Sequence, residues 1–273
     1  MTRSKTGTAY DLTGPPGAPV LVLIHGLGLT RATWDEFVPV LAQDFRVLTY
    51  DLCGHGDSAL PQVRPSLTVL ADQLAGLLDE LAIATATLIG FSLGGMINRR
   101  FALDHPSRVT ALVILNSPHE RSPEAQRLVE TRAAQTSAGG PAATIDSTLQ
   151  RWFTPQFLAG SPEVVARVRA TVLANDPDNY AGHRQVLASG VTELIRPEPA
   201  IKVPTLVMTC DHDSGSTPAM SHAIASEIAG AKTVIVPGLQ HLGLIEHPDL
   251  FTAEIQSFLA QNAQRLQTNG TKA

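Results

Sequence analysis

An apolar strand that stops at Gly-x-Ser-x-Gly and turns at once into a helix leaves a chain few folds to choose from. Residues 87–96 read Thr-Leu-Ile-Gly-Phe-Ser-Leu-Gly-Gly-Met, and the order strand, glycine-flanked serine, helix is what carries the information. The constraint is steric. A serine on so abrupt a turn takes a strained backbone conformation, and Gly90 and Gly94 remove the Cβ atoms that would collide there. Ser92 Oγ is then exposed above a sheet, over a helix N-terminus whose unpaired N–H groups favour developing negative charge. Alone, the motif also fits a turn serine that caps a helix over 93–104. The rest of the chain must therefore supply a base, an acid and a second anion-binding group.

The flanking sequence repeats one pattern. Val20 to Ile24 and Arg46 to Tyr50 are short runs apolar on both faces, as buried parallel strands are. The first ends in His25-Gly26-Leu27-Gly28 and leads to a helix from Thr33 to about Gln43. The second stops at the glycine-punctuated loop Asp51 to Ser58, and leucines at 67, 70, 74, 77, 78 and 81 then mark an amphipathic helix. The serine-bearing strand and helix follow, Pro106 closes that helix, and Val109 to Leu115 is the next strand. From His119 to Pro199 no buried strand can be found, and helices are expected at 123–136, 144–152, 162–174 and 177–194. Gly139-Gly140-Pro141 and Asn175-Asp176-Pro177 break them. Strand–helix alternation resumes with strand 205–209, helix 218–229, strand 233–236 and helix 248–264.

These elements predict an α/β architecture, a doubly wound, mostly parallel sheet with an inserted helical cap. The core is expected at 1–118 and 200–265, the cap at 119–199 over the sheet's carboxyl edge, where ligands bind in such folds, and a frayed tail at 266–273. Fewer than twenty residues precede the first strong strand, so a leading antiparallel hairpin must be short, and its position is not evident.

Composition narrows the function. A net charge of −5 over 273 residues, with 44% apolar and 16% charged residues, describes an ordinary globular chain. It offers no basic footprint for nucleic acid. No apolar stretch approaches the ~18 residues of a membrane span, and residues 1–11 have no apolar signal-peptide core, so a cytoplasmic protein is expected. Cys53 and Cys210 are read as reduced, unpaired thiols. No His/Cys/carboxylate cluster has ligand spacing, so neither metal nor cofactor is expected.

The serine hydroxyl needs an adjacent base. His241, in Val236-Pro237-Gly238-Leu239-Gln240-His241, follows the last strand by a short loop at the same sheet edge as Ser92. The other histidines, His25 included, are read as structural or surface residues. The imidazole in turn needs a carboxylate. Asp213 is favoured within Cys210-Asp211-His212-Asp213-Ser214-Gly215, because it lies deeper in the loop and Ser214-Gly215 let the chain turn back. Asp211 is the alternative acid, or an Asx-turn residue. The N–H groups of Leu27 and Leu93 are the expected oxyanion donors, with Gly28 equally readable as a plain turn glycine. Trp152 and Phe153 are candidates for an acyl pocket, although an aromatic pair at a helix end also serves packing. Arg100, Arg121 and Arg184 are candidates to meet a substrate carboxylate. Met96 is read as core.

Taken together, His25-Gly26, the loop 51–58, Gly90-Phe91-Ser92-Leu93-Gly94-Gly95, Asp213 and Gly238-Leu239-Gln240-His241 resemble the α/β-hydrolase superfamily. Arg151-Trp152-Phe153-Thr154-Pro155 and Tyr180-Ala181 are similar to the cap of the 3-oxoadipate enol-lactonases. The family usually has glycine where Cys210 stands and often methionine where Leu93 stands. The resemblance implies a serine hydrolase with a Ser92–His241–Asp213 triad acting on a small-molecule ester or lactone. Carbon–carbon bond hydrolases and cofactor-free perhydrolases share these motifs, and a non-catalytic ligand receptor can retain the scaffold.

Overall fold

Strands that must be buried on both faces have no use for polar alternation, and six runs in this chain lack it. In the computed structural model, which describes residues 2–263, these become β3 and later strands. The short β1 (Thr2–Arg3) and β2 (Ala9–Thr13) precede β3 (Val20–Ile24). A single helical turn, α1 (Val38–Leu41), leads to β4 (Arg46–Tyr50). Next come α2 (Leu67–Glu80), β5 (Ala86–Phe91), α3 (Leu93–Asp104) and β6 (Val109–Leu115). Five helices follow: α4 (Pro123–Gly139), α5 (Ile145–Trp152), α6 (Pro155–Gly160), α7 (Pro162–Leu173) and α8 (Pro177–Ser189). The chain then returns through β7 (Thr205–Cys210), α9 (Pro218–Ser226), β8 (Lys232–Val236), α10 (Gly243–Glu246) and α11 (Pro248–Gln261). The tail expected at 266–273 lies outside the described residues.

Among the described residues, eight strands form one sheet in the order β1-β2-β4-β3-β5-β6-β7-β8. β2 runs antiparallel to both β1 and β4, and every pairing from β4 to β8 is parallel. Every residue of β5 and β6 is buried. The direction of winding reverses between β3 and β5, which are neighbours with Ile24 opposite Gly90. At such a reversal the loops leaving two adjacent strands part to opposite faces and open a crevice at the carboxyl edge. Here those loops begin at His25 and at Ser92.

α2 and α3, which pack side by side, cover the sheet for legible reasons. α2 opens at Ser66, whose side chain accepts the Val69 N–H, and buries Leu67, Leu70, Ala71, Leu74, Leu77 and Leu78. α3 is buried along most of its length, Met96 included, and Asn98 on it donates from Nδ2 to Val113 O at 2.9 Å. Arg99 is buried too, donating to Gly95 O at 2.9 Å, Ser117 Oγ at 3.1 Å and Pro118 O at 2.7 Å. It ties the helix behind Ser92 to the loop that leaves β6.

The helix expected over 33–43 is broken. Residues Arg31–Trp34 form a short 3-10 turn before α1. A proline ring at 39 clashes with the carbonyl four residues earlier, so a helix opening at Thr33 cannot run through it. Helix 177–194 likewise stops at Ser189 and tightens to a 3-10 turn over Gly190–Leu194. Among the described residues no helix is long and apolar enough to cross a membrane.

Candidate active site

The turn at Ser92 is as tight as its glycines imply. Ser92 has φ 56° and ψ −112°, in a region costing an L-residue roughly 1–3 kcal/mol. A Cβ on Gly90 would collide with the Gly94 carbonyl, and one on Gly94 with the Ile24 carbonyl. The strained peptide is held from both sides: Ser92 N–H donates to Leu115 O at 2.8 Å, and Ser117 Oγ donates to Ser92 O at 2.9 Å.

Residues far apart in sequence meet at this point. Ser92 Oγ lies 3.1 Å from His241 Nε2, and His241 Nδ1 lies 2.6 Å from Asp213 Oδ2. All three are buried, His241 to 9% exposure. Asp213 also accepts from Asn116 Nδ2 at 3.0 Å and, through Oδ1, from the N–H groups of Gly215 and Ser216 at 2.9 Å each. Burial alone would raise the Asp213 pKa. The attraction and hydrogen bond of His241, with the Asn116 and Ser216 donors, outweigh it and hold the carboxyl below the ordinary value. An ionised Asp213 only accepts, so Nδ1 of His241 carries the proton and Nε2 is left to accept from the Ser92 hydroxyl. Such a chain can move a proton from oxygen to nitrogen as the oxygen attacks. Asp211 is not part of it: exposed, it lies 3.9 Å from its neighbour His212.

Among the described residues, the backbone N–H groups of Leu27 and Leu93 make no hydrogen bond within the protein. Leu93 opens α3, and Leu27 lines the cavity above Ser92. Trp152 lines it too, its ring 6.1 Å from that of His241. Phe153 does not. The chain leaves α5 in extended conformation at Phe153, φ −113° and ψ 147°, so its ring turns away, is fully buried and stacks on Phe157 at 5.1 Å. Arg100 is also remote from the cavity, engaged with Asp104 at 2.7 Å and Glu193 at 3.1 Å. Arg121 and Arg184 do line the cavity, and they are joined by Arg132 and Arg151.

A buried histidine group braces the Leu27 loop: His25 bonds neighbouring loops as the sequence implies, while its grouping with His55 and His183 is not evident there. His55 Nε2 accepts the Gly28 N–H at 3.0 Å, and His25 Nε2 accepts the Leu52 N–H at 3.0 Å. The His55 ring sits 5.4 Å from that of His25 and 4.7 Å from that of His183 on α8. Gly28 is more than a plain turn glycine: at φ 75° it lets the Tyr180 ring of α8 approach where a Cβ would collide. Asn175 Nδ2 donates to Gly28 O at 3.1 Å, so the helices after β6 dock directly on this loop.

Ring nitrogens that accept from backbone N–H must be unprotonated. Burial lowers the pKa of His25 from 6.5 to about 4, outweighing the attraction of Asp51 and the Gly26 carbonyl. Burial also lowers His55 well below its ordinary value, and His183 in the same direction. The unfolded chain takes up these protons near pH 6.5; the folded chain resists them to lower pH, at His25 until about pH 4. Stability is therefore full above pH 6.5 and falls as the pH drops through this window. His25 alone accounts for about 3 kcal/mol. Urea midpoints should fall steeply between pH 7 and 4.5; coincident midpoints would contradict a neutral trio.

Comparison with known proteins places this geometry in context. The family model described as the alpha/beta hydrolase fold matches residues 19–248. 3-oxoadipate enol-lactonase 2 of Acinetobacter baylyi is 26% identical over 95% of each chain. A putative carbamate hydrolase, RutD of Stutzerimonas stutzeri, is 30% identical over 92% of this chain and 96% of its own. The crystal structure of the enol-lactonase from Burkholderia xenovorans LB400 superposes with a TM-score of 0.85 at 34% identity, covering 93% of this chain and 96% of that one.

Proposed function

The chain belongs to the alpha/beta hydrolase fold family of hydrolytic enzymes, and on that premise we propose that it cleaves a small carboxylic ester or lactone through Ser92. The observation that carries this reading is the continuous relay from Ser92 Oγ at 3.1 Å through His241 to Asp213 at 2.6 Å. Ser92 Oγ attacks the carbonyl while His241 Nε2 takes its proton; Asp213 holds the imidazole and offsets its positive charge. The N–H groups of Leu27 and Leu93 receive the oxyanion, and a donor of this kind typically contributes roughly 3–4 kcal/mol of transition-state stabilisation. His241 then returns the proton to the leaving oxygen, which a lactone keeps tethered and an ester releases. Water, activated by the same imidazole, frees the acid from Ser92. The helices at 119–199 act as the cap, supplying Trp152 to the acyl side.

The 30% identity to a putative carbamate hydrolase favours a second reading, the same attack on a carbamate carbonyl. One experiment addresses both. The protein should turn over aryl acetates and small lactones, and a fluorophosphonate should modify it once, on the peptide containing Ser92. Carbamate turnover in place of ester turnover selects the second reading. Modification elsewhere, or none, overturns both.

A further inference from the structure

Among the described residues, four arginines and a single carboxylate line the cavity above Ser92. Arg121, Arg132, Arg151 and Arg184 reach it from the loop before α4, from α4, from α5 and from α8. Among the described residues none of the four has a carboxylate within 4.0 Å, whereas Arg31, Arg108, Arg169 and Arg196 each meet one. The cavity's single carboxylate, Asp213, is already committed to His241 and Asn116. Nε of Arg121, of Arg151 and of Arg184 is buried without a hydrogen-bond partner. Burial first, and then the repulsion of neighbouring arginines, lowers Arg121 and Arg151 to about 10. With a net charge of −5 for the whole chain, this concentration of cations is local.

Guanidinium groups drawn partly or wholly out of water are tolerated when paired, and a group of them without carboxylates is the complement of an anionic ligand. Arg184 repels Arg121, Arg132 and Arg151, and Arg132 repels Arg151, so four like charges crowd one cavity. Arg121 is held against the Leu187 and Ala188 carbonyls on the α8 side, while Arg151 feels Asp213 on the side of His241. A single carboxylate engages one guanidinium fork fully, which would leave the remaining positive charge unbalanced. We propose that the cavity is a polycarboxylate site, and that the ester or lactone opened at Ser92 carries at least two further carboxylates, seated on Arg132, Arg184 and their two neighbours. That the anion is a substrate rests on the ester-hydrolase reading; the anion site itself rests on the arginines.

Titration calorimetry on the Ser92→Ala protein at fixed ionic strength separates the two. Tricarballylate should bind at least tenfold more tightly than butyrate or inorganic phosphate. Arg132→Gln and Arg184→Gln should each weaken it tenfold or more, and Arg127→Gln, exposed on α4 and paired with Glu124 at 3.0 Å, should leave it unchanged. Equal binding of the three anions, or undiminished tricarballylate affinity in both cavity variants, overturns the site. Ligand-free melting gives a second readout: removing one of several mutually repelling cations should leave Tm unchanged or raised. A fall of several degrees in both variants makes the arginines structural struts and likewise overturns it. Tricarballylate binding by a wild-type protein without esterase activity would defeat only the hydrolase reading. An active esterase indifferent to tricarballylate would defeat only the polycarboxylate site.

Discussion

Ser92→Ala is expected to lower kcat for any ester substrate by roughly a millionfold while leaving the fold intact. The two halves of that expectation have separate physical sources. The loss in rate follows because Oγ is the atom that would form the bond to the carbonyl, and among the described residues no other hydroxyl is hydrogen-bonded to His241. The intact fold follows because the backbone at φ 56° is held by bonds to Leu115 O and from Ser117 Oγ, neither of which involves the Ser92 side chain. Alanine keeps the Cβ and with it the strain already present, so only the hydrogen bond to His241 disappears. Because the two groups act as one unit, His241→Ala should cost about as much alone as together with Ser92→Ala. Rates of aryl-ester hydrolysis and melting curves measure both halves. Turnover retained within tenfold, with Tm preserved, would remove Ser92 from the chemistry.

What the sequence disclosed and what it hid divide along a physical line. β3, β4, β5 and β6 were legible because strands covered on both faces are written as unbroken apolar runs. β2 was not, since in Ala9–Thr13, beside the edge of the sheet, only Ala9 is buried, Tyr10 and Leu12 are half-buried, and Asp11 and Thr13 are exposed. Pro123, Pro162, Pro177, Pro218 and Pro248 each stand first in a helix, where the expected bounds put them and where a missing N–H costs nothing; Pro155 does the same for α6, a short helix that no periodicity announces. Ser92 and His241 could be found because each ends a strand or follows one closely, and parallel strands deliver their loops to one edge. The structural role of His25 was legible, but its grouping with His55 and His183 was not: they come from two loops and a helix, and their proximity exists only after the helices dock. Arg132 failed for a related reason. It lies on α4, a helix with few buried residues, whose inward face is set by its neighbours rather than by its own periodicity.

Asp213→Asn should cost roughly 10⁴ in kcat, and Asp211→Asn close to nothing. The ranking follows from the donors around Asp213. Its Oδ1 accepts two backbone N–H groups, from Gly215 and Ser216, which an asparagine must keep satisfied with its carbonyl oxygen. The amide NH2 then falls where Oδ2 was, facing Asn116 Nδ2 and His241 Nδ1, formerly at 3.0 Å and 2.6 Å. Two donors cannot share a hydrogen bond, so the imidazole escapes by shifting its proton from Nδ1 to Nε2. That tautomer accepts from the new amide and turns an N–H toward Ser92, where it can no longer take a proton. The defect is therefore chemical more than structural, and it should appear in kcat with little change in KM. Asp211, exposed and facing only His212 at 3.9 Å, offers no such dependence, and its replacement should shift stability by no more than about 0.5 kcal/mol. Steady-state rates of the two variants on one ester decide the matter: the opposite order would hand the role of the acid to Asp211, and equal, small losses would leave the imidazole without a carboxylate partner.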